Sequence, residues 1–148
     1  MSLEQKIATA LVGAMKAKDQ GALRALRAIK AEILLFKTSG TGEELNDAAE
    51  IRILQKMVKQ RKESLSIYEE QGREDLARIE REEVAVIEGF LPAQMSETDL
   101  ANFITSLISE LGADGMKDMG RVMSEANKRL AGKADGKTVA GIVKALLS

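Results

Sequence analysis

Residues 51–90 read IRILQKMVKQRKESLSIYEEQGREDLARIEREEVAVIEGF, and this stretch decides the fold. Apolar residues recur every three or four positions on both sides of Gly72, which is the spacing of one face of an α-helix. The members of the two series are Ile51, Leu54, Val58, Leu65 and Tyr68, and then Leu76, Ile79, Val86 and Phe90. Because glycine commonly ends helices, the stretch predicts two long helices folded back on each other around Gly72.

One charged residue interrupts each apolar series. Arg61 takes an apolar position in the first helix and Glu83 takes one in the second, each eleven residues from Gly72. Antiparallel packing places the two residues opposite each other, so we predict an ion pair in the seam of the hairpin. The alternative is that both side chains extend out of the seam and keep their charged ends in water.

Two more helices are predicted before this hairpin. The first begins at a capping box formed by Ser2 and Gln5 and ends near Lys18. The second runs from about residue 20 to 38, where Ser-Gly-Thr-Gly at 39–42 breaks the apolar periodicity. Together with the long antiparallel hairpin, these helices predict an N-terminal helical bundle over residues 1–92.

After Pro92 the sequence predicts a small C-terminal three-helix lobe over residues 93–148, which makes the whole protein all-α. Its first helix begins at Ser96, and two short helices follow at about 116–130 and 136–147. Those two carry a weak repeat of 21 residues. Ala113-Asp114-Gly115 is followed by Gly120, and Ala134-Asp135-Gly136 is followed at the same spacing by Gly141. We expect each aspartate to cap its helix. Each mid-helix glycine costs about 1 kcal/mol relative to alanine, which predicts close approach of another helix or of a ligand backbone.

Composition excludes most kinds of catalytic and metal site. The chain has no His, Cys or Trp, so the usual general base, the thiol nucleophile and the common zinc ligands are missing. The glutamates at 80, 82, 83 and 88 are crowded, but neighbouring helical positions point in different directions, which argues against a metal site. We expect no cofactor and no metal. No apolar run reaches the roughly 20 residues of a membrane span and the N-terminus lacks a signal-peptide core, so we predict a cytoplasmic protein without membrane contact.

Several short motifs, in order along the chain, resemble those of the YqeY-like family. They are KQRKES at 59–64, GREDL at 72–76, FLPAQMS at 90–96, MKDMGRVM at 116–123 and GKADGK at 132–137. Phe90 stands where that family often has tyrosine. The last third is also similar to the helical tail domain of the B subunit of the bacterial tRNA-dependent amidotransferase. This resemblance implies contact with tRNA. The resemblance to the YqeY-like family also implies carbon–nitrogen ligase activity with glutamine as amido donor, although the chemistry of the amidotransferase lies in its other domains and subunits.

The candidate RNA-binding residues are basic and belong to the last lobe. Residues 116–148 carry seven basic and three acidic side chains, 7 − 3 = +4, although a boundary at Pro92 gives seven of each. At residues 132–137 a turn opens a helix, where free N–H groups and flanking lysines can hold an RNA phosphate. The alternative is that Asp135 caps the helix and the lysines are only solvated. The predicted site residues are Lys117, Arg121, Lys128, Arg129, Lys133 and Lys137.

Three functions remain open on the sequence. The first is a noncatalytic tRNA-interacting or amidotransferase-related accessory protein, whose basic C-terminal lobe reads RNA shape and phosphates because no aromatic platform for bases is present. The second is an adaptor that binds a protein partner through the hairpin or through Met116, Met119 and Met123, which share a helical face and otherwise belong to the core. The third is a weak amide-transfer activity of the chain itself.

Overall fold

A computed structural model describes all 148 residues and confirms that the chain is all-α. The helices are α1 (Leu3–Ala17), α2 (Gln20–Lys37), α3 (Asp47–Glu70), α4 (Glu74–Glu88), α5 (Glu97–Leu111), α6 (Met119–Arg129) and α7 (Gly136–Leu147), with a 3-10 turn at Met116–Asp118. They form two compact units, Met1–Leu91 and Pro92–Ser148, each with its own apolar core. None of the helices combines the length and the apolar character needed to cross a membrane.

The first unit is a four-helix bundle that contains the predicted hairpin of α3 and α4. Gly72 adopts a left-handed backbone with φ of 67°, and the N–H of Arg73 donates to the carbonyl of Tyr68 at 2.9 Å, which closes the turn. The predicted capping box of α1 is present, because Ser2 and Gln5 each accept a backbone N–H from the other. The fully buried large residues of this core are Ile7, Ile29, Leu54, Met57 and Ile87.

The predicted seam ion pair is confirmed. Arg61 Nε lies 3.6 Å from Glu83 Oε1, and the two side chains are only 18% and 12% exposed. The alternative, in which both side chains extend into water, is therefore wrong. Arg61 Nη1 also donates to the carbonyl of Met57 at 3.3 Å, whereas its buried Nε has no hydrogen-bond acceptor.

The second unit packs α5, α6 and α7 around one core. Ser96 caps α5 as predicted, because its hydroxyl accepts the N–H of Asp99 at 3.1 Å. The helix predicted over 116–130 begins instead with the 3-10 turn, and α6 starts only at Met119. The buried residues of this core are Leu100, Ile104, Leu107, Val122, Ala126, Leu130, Val139, Val143 and Leu147.

The two predicted aspartate caps are corrected by the structure. Asp114 does not cap a helix; its backbone N–H donates to Asp118 Oδ2 at 2.9 Å, which closes the loop before α6. Asp135 does stand at the N-cap position of α7, but its side chain accepts no backbone N–H and instead lies 3.4 Å from the hydroxyl of Thr138. The first turn of α7 therefore has no side-chain cap.

The two glycines predicted to lie mid-helix are not needed for packing, and only Gly141 is mid-helix, because Gly120 is the second residue of α6. A Cβ added at Gly120 or Gly141 would meet no atom within 4 Å, and both residues are exposed. Close approach of another helix, one of the two predicted explanations, is therefore wrong. Close approach of a ligand backbone stays a prediction.

Candidate nucleic-acid interface

The turn at residues 132–137 is braced by the segment that begins the second unit. Gln94 Nε2 donates to the carbonyl of Gly132 at 2.7 Å and to that of Pro92 at 2.8 Å. The N–H of Met95 donates to the carbonyl of Lys133 at 3.0 Å, so two hydrogen bonds join the turn to residues 94 and 95. Gly132 itself is buried in a left-handed conformation with φ of 77°. Residues 94 and 95 of the motif FLPAQMS and residues 132 and 133 of the motif GKADGK, distant in sequence, are therefore hydrogen-bonded to each other.

The role of Gln94 was not predicted from the sequence. A single glutamine outside a helix has no periodicity, and its partner Gly132 lies 38 residues away. One signal for the role of Gln94 is present in the sequence. Gln94 lies in the motif FLPAQMS, and the other polar residue of that motif, Ser96, caps a helix. The consequence is that the predicted phosphate-binding turn is held by hydrogen bonds at Gly132 and Lys133.

Lys133 and Lys137 flank this turn with exposed side chains that form no ion pair. Because Asp135 does not cap α7, the N–H groups of the first helical turn face no side-chain acceptor. Unpaired N–H groups and the helix dipole both favour an anion at such an end. The capping alternative from the sequence is therefore wrong, whereas simple solvation of the two lysines stays open.

Arg129 is placed differently from the lysines, because two carboxylates already bind it. Its Nη1 and Nη2 donate to both oxygens of Glu110, at 2.7 and 3.0 Å, and its Nε donates to Glu125 at 3.1 Å. These hydrogen bonds, that of Glu110 first, raise the pKa of Arg129 above its ordinary value. The same contact lowers the pKa of Glu110. Arg129 thus joins α5 to α6.

Arg121 is also engaged within the second unit. Its Nη1 donates to the carbonyl of Leu111 at 2.8 Å, at the end of α5, and its Nη2 lies 3.3 Å from Asp118 Oδ1. The backbone N–H of Asp114 and, after it, the Arg121 guanidinium lower the pKa of Asp118. Arg121 and Arg129 therefore have structural partners, which distinguishes them from the other four predicted residues. Lys117, Lys128, Lys133 and Lys137 are exposed and form no ion pair.

A further exposed lysine on α7 belongs with this group. Lys144 follows Lys137 by seven residues, so both lie on one helical face. Gly141, which is exposed and has open space around it, lies between them on the same side. Lys144 was not among the predicted site residues, although the seven-residue spacing is visible in the sequence.

The methionines and glutamates that the sequence singled out take ordinary positions. Met119 and Met123 pack against the core of the second unit, and only Met116, 45% exposed, faces solvent. Three of the four crowded glutamates of α4 each pair with a different cation, and Glu80 forms no ion pair. Glu82 pairs with Arg24, Glu83 with Arg61 and Glu88 with Lys62.

The positive excess of the chain lies in residues 1–37 of the first unit and not in the predicted RNA-binding lobe. Residues 1–37 carry seven basic and three acidic side chains, 7 − 3 = +4. Residues 38–91 carry eight and thirteen, 8 − 13 = −5, and residues 92–148 carry seven of each, for zero. Any anion binding by the second unit therefore depends on where its individual lysines lie.

Two comparisons with known proteins give this chain a family and a relative. The sequence model of the family described as Yqey-like protein matches residues 4–147. A protein from Pyrenophora tritici-repentis, named Altered inheritance of mitochondria protein 41, mitochondrial, is 29% identical over 128 residues, which cover 84% of this chain and 68% of that protein. The relative's name describes a mitochondrial protein, so the cytoplasmic location stays a prediction for this chain.

Proposed function

The chain belongs to the YqeY-like family, and we propose that it is a noncatalytic accessory protein that binds tRNA, or another folded RNA, through its second unit. The observation that carries the proposal is the braced turn at residues 132–137. Gln94 binds the carbonyl of Gly132 within it, its flanking lysines are exposed and unpaired, and it opens a helix that no side chain caps. This combination suits a phosphate group better than any uncharged ligand.

The second unit has no excess of positive charge, so attraction over long distances contributes little to this binding. We propose that RNA is held instead by local contacts between phosphates and individual lysines, at Lys133 and Lys137 first. Such contacts position an RNA without reading its sequence. Base stacking contributes little to this mode of binding, because the chain has only four aromatic residues and all four are half-buried.

A tRNA titration at several salt concentrations tests the proposal directly. The variant Lys133→Glu/Lys137→Glu should bind tRNA at least about tenfold more weakly at low salt. Its plot of log affinity against log salt should also be shallower by about one unit for each phosphate that the variant no longer neutralises. Arg129 is unsuitable for this test, because its replacement would also release Glu110 and Glu125.

The matched control is Lys6→Glu/Lys16→Glu, which makes the same change of charge at two exposed, unpaired lysines of α1. If tRNA binding depends on the turn, this control keeps most of the wild-type affinity. Equal losses of affinity in the two variants would show that only net charge matters. Absence of tRNA retention by the wild-type protein at low salt would end the proposal.

The exposed glycines allow a second test that separates binding from stability. Gly141→Ala, in the interior of α7, should stabilise the fold by about 1 kcal/mol, and Gly120→Ala, in the first turn of α6, should stabilise it by less, since open space surrounds both positions. If an RNA backbone approaches α7 closely, Gly141→Ala weakens tRNA binding although it stabilises the protein. Thermal unfolding and tRNA titration of the same samples give the two readings.

A further inference from the structure

A groove runs between α1 and α2 in the first unit, far in sequence from Lys133 and Lys137. It encloses about 490 Å³ and is lined mostly by apolar side chains. Ile7 and Ile33 are buried in its lining, whereas Leu34 is 61% exposed. A volume of this size falls in the range of sites that bind ligands or protein side chains.

Exposed apolar residues continue along α1 beyond the groove itself, at Val12 and Met15. On α1, Ala8, Leu11, Val12 and Met15 recur at the three- and four-residue spacing of one helical face. Val12 and Met15 are 48% and 53% exposed. A helix that presents apolar residues at this spacing to solvent has the pattern of a binding face rather than of a solvated surface.

The charged residues that line the groove are mainly positive. They are Arg27, Lys30 and Lys37 against a single carboxylate, that of Glu4, which already pairs with Lys37. Arg27 and Lys30 are exposed and form no ion pair. The groove therefore combines an apolar lining with two cations that lack an anionic partner.

We propose that this groove binds an amphipathic helix of a partner protein, with apolar residues at i, i+3 or i+4 and i+7 and with carboxylates beside them. Helix-in-groove binding uses such an apolar series, and the carboxylates match Arg27 and Lys30. A second copy of this chain fits less well. A two-fold dimer built on this face would bring the same patch of both copies together, so Arg27 and Lys30 of one copy would lie near Arg27 and Lys30 of the other. These like charges would repel each other. This inference does not depend on RNA binding, because no residue is shared between the two sites.

A synthetic peptide tests the chemistry of the occupant while the natural partner is unidentified. The probe is a labelled helical peptide of about 18 residues, with leucine at the i, i+3, i+4 and i+7 positions and glutamate beside them. Fluorescence anisotropy gives its affinity for the full chain, and amide shifts in a ¹⁵N spectrum locate the contact. We expect shifts at Leu11, Ala31 and Leu34. We also expect affinity at least about tenfold lower in Arg27→Glu/Lys30→Glu.

Several controls decide the outcome. Lys6→Glu/Lys16→Glu changes the same charge outside the groove and should keep the affinity, and Leu34→Ser should lower it without unfolding the protein because Leu34 is exposed. The proposal is overturned if the peptide does not bind at millimolar concentration or if a peptide with lysine in place of glutamate binds equally well. It is also overturned if Leu34→Ser leaves peptide affinity unchanged and abolishes self-association of the chain in sedimentation, which would make a second copy the occupant. Loss of binding to anionic phospholipid vesicles in that variant would likewise make a membrane the occupant. Loss of tRNA binding in the lysine variants of the second unit leaves all these readings unchanged.

Discussion

Arg61 has one carboxylate partner in the seam of the hairpin and a buried Nε without a hydrogen-bond acceptor. Removing two charges from water costs free energy that their attraction offsets only in part, so such a pair contributes little net stability. It does penalise any other alignment of α3 against α4, because a shift would leave either charge alone among apolar residues. We infer that Arg61 and Glu83 fix the register of the hairpin.

A register role predicts opposite results for single and double replacements. Arg61→Met leaves the Glu83 carboxylate buried without a cation and should lower the free energy of unfolding by about 3 kcal/mol. Arg61→Met with Glu83→Leu should recover most of that loss, because no buried charge remains. Urea denaturation measures both. Lys62→Met is the control: Lys62 is 60% exposed in its pair with Glu88, so its replacement should change stability by about 0.5 kcal/mol or less. A double variant as unstable as the single one would contradict the register role.

The stability of the first unit should depend on pH through Glu80, which lies near Glu83 of the seam. Burial, and after it the negative charge of Glu83, raise the pKa of Glu80 in the folded protein. The folded state then holds this proton more tightly than the unfolded chain does. The free energy of unfolding therefore falls as pH rises through the unfolded pKa and then the folded pKa. Glu80→Gln should raise the urea midpoint at pH 7, and the gain should shrink towards pH 4.

The control for that measurement is Glu63→Gln, which neutralises an exposed carboxylate on α3 that forms no ion pair. It should leave the urea midpoint nearly unchanged at both pH values. A gain in Glu80→Gln that is as large at pH 4 as at pH 7 would point to helix propensity rather than to titration.

At the scale of the elements, the hydrogen bond from Gln94 to Gly132 joins the start of the second unit to the turn before α7. Removing it should affect the structure of that turn and little else. Gln94→Ala leaves the buried carbonyl of Gly132 without its donor, which costs about 1 to 3 kcal/mol. The amide of Met95, which donates to Lys133, should then exchange faster with solvent, while amides in α3 and α4 keep their protection. Asn127→Ala, at an exposed position on α6, should leave these rates unchanged. Unaltered exchange at Met95 in Gln94→Ala would show that the turn is held by other contacts.

Helix positions could be predicted from the sequence because periodicity and caps are local. The second helix was expected over 20–38 and spans Gln20–Lys37, and the seam pair followed from counting residues on either side of Gly72. The partners of Arg121 and Arg129 could not be predicted in this way. Arg129 meets Glu110 across two packed helices, 19 residues away, and which side chains meet there depends on how the helices cross. Two of the six predicted RNA-binding residues therefore proved to have partners within the fold.

At the scale of the whole molecule, the net charge of −1 conceals a strong separation of charge. The excess of +4 over residues 1–37 is next in sequence to −5 over residues 38–91, and the second unit sums to zero. Net charge influences association and solubility rather than fold. The two proposed sites therefore differ in kind: the groove of the first unit lies in the cationic hairpin of α1 and α2, whereas the turn of the second unit depends on individual lysines.

At the same scale, residues 92–148 are expected to fold without the rest of the chain. This unit has 148 − 91 = 57 residues and a core of nine buried apolar side chains, and it contains the Ser96 cap, the Gln94 brace and the Arg129 contacts. Many domains of about 55 to 65 residues are stable alone. The isolated unit should give a helical circular dichroism spectrum and a cooperative thermal transition. Ile104→Asp, which places a charge in the core, should abolish both. A disordered spectrum for the wild-type unit would contradict its independence, whereas a folded unit can be titrated with tRNA in the absence of the cationic hairpin.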